Sequence, residues 1–145
     1  MKRISRPIIT LIFLFVNNFL YGQVTKIDEW ETARRKAEQE NKKILIILTG
    51  TEWCKPCIKL EENVIEQTDF IEFANKNLVI FEINLPKRLE LTSKVAKDYH
   101  NFKTKYETNS LPSLILVDEK GNEKTRITNG RMSAAKVIDQ IKQKL

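Results

Sequence analysis

Residues 44–57 read Ile44-Leu45-Ile46-Ile47-Leu48-Thr49-Gly50-Thr51-Glu52-Trp53-Cys54-Lys55-Pro56-Cys57. The first five are a continuous apolar run, too short for a helix and without alternation, which predicts a central strand buried on both faces. Thr49 to Glu52 turn the chain out of that strand. A helix is expected from about Cys54 to Gln67, with Ile58, Leu60, Val64 and Ile65 at apolar positions. The two-residue spacer lets both sulfurs meet across the first helical turn. A helix N-terminus presents free N–H groups and partial positive charge, which favour thiolate over thiol. Cys54, at the very start, is expected to be the attacking nucleophile, and Cys57, one turn in and more covered, the resolving thiol. Lys55 adds a cation that stabilises the thiolate further. Pro56 has a φ suited to the first turn and lacks an N–H that the helix does not need there.

Working outward, Asp28 and Glu31 have the spacing of a capping box. A helix over Glu29–Glu40 follows, with Ile27, Trp30, Ala33 and Ala37 at helical spacing, ended by Asn41 and Lys42. Downstream, Asp69–Asn75 reads as further helical turns and Leu78–Ile83 as a second buried strand that Pro86 ends. Lys87–Leu91 is a connection. Thr92 or Ser93 caps a helix whose stripe is Val95, Tyr99, Phe102 and Tyr106. Leu114–Val117 is a third apolar strand, and Asp118–Asn122 is a hairpin turn in which Gly121 accommodates φ > 0. Glu123–Thr128 returns as an edge strand, and Ser133 caps a last helix carrying Ala134, Val137, Ile138 and Ile141. The order α-β-α-β-α-β-β-α is an α/β fold with a mixed sheet of four to five strands and helices on both faces.

Composition narrows the function. The chain has 145 residues, 41% of them hydrophobic, which excludes disorder, and two cysteines, too few for a disulfide scaffold or a four-thiolate zinc site. Residues 1–22 have a basic head (Lys2, Arg3, Arg6), an apolar run Ile8–Val16 interrupted by Thr10, and Gly22 as a cleavage position. That is the pattern of a signal peptide, with residues 23–145 as one domain. An uncleaved anchor is the rival, but the apolar run is about half of the roughly 20 residues a span needs. No membrane span is expected after cleavage, and no cysteine at the junction offers a lipid anchor. Removing the segment takes 25 Lys and Arg to 22 against 19 Asp and Glu, so the net charge of +6 falls to +3. No basic stripe is interleaved with aromatics, and nucleic-acid binding loses its support. The expected location is periplasmic or secreted.

Three plain readings of the cysteines compete with redox chemistry. A structural disulfide across four residues contributes only about 2 kcal/mol, far less than a long-loop staple. Metal binding finds half a tetrahedral site, with His100 the only histidine and nothing spaced to complete it. His100 reads as an ordinary polar residue on its helix. Two reduced core thiols conflict with the Lys-Pro between them and with export. Trp53 reads as core, as a substrate platform, or as both.

Together these residues resemble the thioredoxin superfamily. The resemblance rests on strand Ile44–Leu48, Trp53-Cys54-Lys55-Pro56-Cys57, Leu111-Pro112-Ser113 opening strand Leu114–Val117, and Asn129-Gly130 before the last helix; it spans about residues 27–145. It implies that Pro112 is a cis-proline facing the disulfide, where the residues alone also allow a trans strand-start proline. It further implies that Leu111 offers backbone hydrogen bonds to the substrate and that Gly130 forms the third wall of the groove. Three features depart from the family, one being the dipeptide Lys55-Pro56 where the family has Gly-Pro. Leu48 stands six residues before Cys54, where the family carries a buried Asp, leaving Glu52 or a water to assist Cys57. The connection from Pro86 to Thr92 is longer than in the minimal fold. The implied activity is thiol–disulfide exchange on protein or peptide disulfides in a Gram-negative envelope, by a monomer without metal or organic cofactor. A membrane-bound partner would supply the electrons. The helix terminus and Lys55 make the couple more oxidising by stabilising the reduced thiolate, whereas the proline-containing dipeptide leans towards reductase in the family, and reductase or isomerase-like support is favoured over a primary oxidant. The alternative is a thioredoxin-fold binding module with an incidental disulfide.

Overall fold

The apolar run at 44–48 becomes the middle strand of a five-stranded sheet. The computed structural model describes residues 22–145, so the expected signal segment, apart from Gly22, lies outside the described residues. Along the chain come β1 (Lys26–Ile27), α1 (Trp30–Glu40), β2 (Lys43–Thr49) and α2 (Lys55–Leu60). A π-helical segment (Glu61–Ile65), α3 (Thr68–Asn77), β3 (Leu78–Asn84) and α4 (Lys94–Lys105) follow, then β4 (Ser113–Val117), β5 (Glu123–Ile127) and α5 (Ala134–Lys142). The strand order is β1-β3-β2-β4-β5. β1 and β2 run parallel to β3, and β2/β4 and β4/β5 are antiparallel. Among the described residues no helix is long and apolar enough to cross a membrane.

Both faces of the sheet are covered, which is why its central strands read as unbroken apolar runs. On one face Leu45, Ile47, Ile80 and Leu114 pack with Leu60, Val64, Phe70, Val137 and Ile141 from α2, the π-helical segment, α3 and α5. On the other, Ile44, Ile46, Leu48, Phe81 and Ile115 pack with Ala33, Ala37 and Phe102 from α1 and α4. Burying each of these larger side chains contributes about 1.5–3 kcal/mol before the entropy of ordering it. Trp30 closes this second core with edge-on contacts to Phe81 and Phe102 at 5.3 and 5.1 Å.

Several local expectations change. β1 has only two residues, paired Lys26↔Ile80 and Ile27↔Phe81. The capping box does not form: α1 starts after Glu29 without a side-chain cap, one residue later than that pattern requires. Asn41 ends α1 in the left-handed conformation at φ 51°. The helix expected over 54–67 breaks. Glu66 N–H reaches back five residues to Glu61 O at 2.9 Å, the signature of a π turn, and α3 restarts after Gln67. Ser93 caps α4, its hydroxyl accepting from Ala96 N–H at 3.3 Å. Ser133 occupies the N-cap of α5 without a side-chain bond. Gly121 takes φ 81° in the hairpin turn.

Candidate functional site

The site grows from the C-terminal ends of the two parallel central strands. β2 ends at Thr49, whose carbonyl accepts from Leu85 N–H at 2.9 Å. The chain then doubles back, Gly50 O accepting from Trp53 N–H and Cys54 N–H at 3.1 and 2.8 Å. The end of β3 grips this turn from the side. Asn84 Oδ1 accepts from Thr51 N–H at 3.1 Å, and Asn84 Nδ2 donates to Thr51 Oγ1 at 2.7 Å. Trp53 Nε1 donates to Leu85 O at 2.9 Å, so the indole lies across Gly50, where a Cβ would come within 2.8 Å of the ring. Trp53 is therefore fixed yet still 46% exposed, a rigid aromatic surface beside the cysteines.

Cys54 occupies the N-cap of α2 and is joined to Cys57 in a disulfide with Cα atoms 5.2 Å apart. Cys57 N–H donates to Cys54 Sγ at 3.3 Å. In the reduced protein that N–H, with the start of the helix, favours a thiolate at Cys54. Cys54 is 7% exposed and Cys57 fully buried, so an incoming group meets the first sulfur and not the second. Lys55 and Pro56 are exposed. The Leu111–Pro112 peptide bond is cis. A Cβ on Gly130 would sit 2.8 Å from Pro56 O and 3.0 Å from Pro112 Cγ, so Pro56, Pro112 and Gly130 come together and only glycine fits at 130. Ser113 Oγ, donating to Ser110 O at 2.7 Å and 3.0 Å from Thr108 Oγ1, braces the loop that presents Leu111. His100 is exposed on α4. Glu52 is exposed, its carboxylate accepting from Lys87 N–H at 3.1 Å.

The sequence reading missed a half-buried ionic cluster. Glu82 of β3 pairs in register with Ile47 of β2, on the face that α2 covers. Its carboxylate lies 2.8 Å from Lys26 Nζ, and the same ammonium contacts Glu61. Glu61 N–H donates to Cys57 O, one turn beyond that cysteine, so the cluster ties β1 and β3 to the helix bearing the motif. Burial pushes the Glu82 carboxyl above its ordinary range, against the pull of Lys26. Burial alone would lower the Lys26 ammonium, but its bonds to Glu61 and Glu82 outweigh this and raise it. A lone acid inside the apolar run Leu78–Ile83 was the available signal.

Known proteins match this arrangement. A family model described as "Thioredoxin-like domain" matches residues 30–145. The chain belongs to the thioredoxin-like family. One relative, "Disulfide bond reductase DsbH" of Chlamydia pneumoniae, is 24% identical over 120 residues, covering 81% of this chain and 72% of the relative. A second, "Thioredoxin-related protein DsbJ" of the same organism, is 26% identical over 99 residues, 68% of this chain but only 28% of that protein. A solved structure of a "DsbH Oxidoreductase" superposes with a TM-score of 0.75 at 21% identity over 90% of this chain and 92% of that one. Within this thioredoxin-like frame, Leu48 is buried in the core beneath α1 and α4. A half-buried acid, Glu82, stands on β3.

Proposed function

We propose that this protein is an exported thiol–disulfide oxidoreductase that runs as a reductase of protein or peptide disulfides. The observation that carries it is the Cys54–Cys57 pair at the head of α2, with the less buried sulfur at the N-cap and the cis Leu111–Pro112 bond, Gly130 and Trp53 around it. In the forward direction the Cys54 thiolate attacks one sulfur of a substrate disulfide. A Cys54–substrate bond forms, and the other substrate sulfur leaves as a thiol after taking up a proton. The deprotonated Cys57 then attacks Cys54 Sγ, and the second substrate thiol leaves. Two electrons pass from the protein dithiol to the substrate, and the protein is left with its own disulfide. A dithiol partner on the membrane reverses that oxidation. No metal or organic cofactor enters the cycle, since the sulfurs carry both electrons. The basic head and apolar run of residues 1–22, together with the relationship to a disulfide bond reductase, support a place in the envelope.

Trapping tests the reading. Reduced Cys57→Ser protein mixed with a disulfide-bonded peptide should accumulate a stable mixed disulfide at Cys54, and Cys54→Ser should accumulate none. A folded Cys57→Ser protein that captures nothing would overturn it. Equilibration with glutathione should place the reduction potential near that of thioredoxin; a value near the strongest oxidants would reverse the direction.

A further inference from the structure

The connection between β3 and α4, residues 85–93, is stapled to the cysteine motif. Its first residue holds both Thr49 and the Trp53 indole, and Lys87 N–H holds the Glu52 carboxylate. Those bonds use main-chain atoms, so the side chains beyond them are free to meet another molecule. Lys87 and Arg88 are exposed, and neither makes an ion pair or side-chain hydrogen bond among the described residues. Leu91 is 84% exposed, a large apolar side chain held out in water on the same connection. Two further exposed cations flank the disulfide: Lys55 between the cysteines, and Arg131 directly after the Gly130 that abuts Pro56 and Pro112. Neither of these has an ionic partner among the described residues. The acids on these loops are Glu52, already committed to Lys87 N–H, and Glu90. The rim of the disulfide thus carries unmatched positive charge on three separate segments, with Trp53 and Leu91 as apolar footholds.

We infer that residues 86–92 form a substrate-docking element that selects disulfides borne on acidic protein segments. This rests on the oxidoreductase reading and adds its substrate class. Cations on three segments around the disulfide raise the local concentration of an acidic chain and speed its encounter, without contributing to the sulfur chemistry. Leu91 and Trp53 then hold an apolar residue of that chain. A single loop fixed by main-chain bonds presents both kinds of contact at low entropic cost.

The test compares two disulfide-linked peptides of equal length, one with Asp and Glu beside the cysteines and one with Ser and Gln, reduced by the full chain in its dithiol form. The acidic peptide should react faster, with kcat/KM higher by about tenfold at low ionic strength. The preference should shrink as salt shortens the screening length. Lys87→Glu/Arg88→Glu should bring the ratio close to one, and Lys87→Arg/Arg88→Lys should restore it. A reversal of equal charge far from the site, Lys76→Glu/Lys136→Glu, should keep it. The inference falls if the wild-type protein shows no preference, or if the remote pair abolishes the ratio as fully as the loop pair. Binding to anionic vesicles that depends on Lys87 and Arg88, with no discrimination between peptides, also overturns it by assigning the loop to a membrane surface. Failure of both peptides to react at all, in a folded protein, overturns the oxidoreductase reading instead.

Discussion

At Asp118 one carboxylate organises the whole hairpin turn. Its Oδ1 accepts from Lys120 N–H at 3.0 Å and Asn122 N–H at 2.9 Å, and its Oδ2 from Asn122 Nδ2 at 3.0 Å, with Lys124 Nζ 3.1 Å away. Burial pushes this carboxyl up, but the bonds from Asn122, Lys124 and Lys120 together hold it well below the usual range. A carboxyl with a lowered folded value stabilises the protein in full above its unfolded value of 3.8 and loses that contribution as the pH falls from there towards the folded value. Asp118→Asn should therefore cost on the order of 1–2 kcal/mol at neutral pH. Thermal melts of variant and wild type should draw together below that value, and a deficit independent of pH would refute the account. Gly130 is governed by space alone. An added methyl meets a main-chain carbonyl and a proline ring, neither of which swings aside cheaply. Gly130→Ala should cost about 1–3 kcal/mol in urea unfolding and slow turnover of any disulfide. An unchanged midpoint and rate would show that the walls of the groove are softer than this geometry requires.

Between elements, the reactive turn is held less by its own helix than by the end of β3. Asn84 supplies two of the bonds that shape residues 49–53, and both go to Thr51. Asn84→Ala should cost about 1–2 kcal/mol. It should also speed hydrogen exchange at the Thr51 amide while leaving amides in the middle of β2 protected; equal exchange at Thr51 would show that the main-chain bonds of Leu85 suffice. The strands were legible because burial on both faces leaves an unbroken apolar run, as at Ile44–Leu48 and Leu78–Ile83. β1 was not, since two residues with a charged member carry no periodicity and pair only because β3 lies beside them. The π turn at Glu61–Ile65 was hidden for a related reason. Its apolar residues Val64 and Ile65 satisfy a helical pattern as well as the wider turn they adopt. Glu29 shows that a capping pattern one residue out of place is no cap.

Across the molecule, the cysteines, Trp53, Pro56 and Pro112 could be found as sequence landmarks because each is rare in its context. The support around them could not, because Lys26, Glu61 and Glu82 come from three distant segments that only the sheet order brings together. That cluster fastens the first described strand, the third strand and the helix carrying Cys57 through one ammonium. Removing the cation leaves a part-buried carboxylate without its charge partner, which is costlier than having neither. Lys26→Met should lose about 2–3 kcal/mol, and Lys26→Met/Glu82→Leu should recover most of it. The pH dependence gives the sign. Glu82 already has a folded value above its unfolded 4.5, and losing Lys26 raises it further. A carboxyl of this kind favours the folded state below its unfolded value and disfavours it as the pH rises through the folded one. The Lys26→Met deficit should therefore be small near pH 4.5 and grow towards neutrality. Urea unfolding of the single and double variants across that range separates the possibilities: a constant deficit, or a double variant no more stable than the single, would mean that Lys26 acts through packing of its stem rather than through its charge.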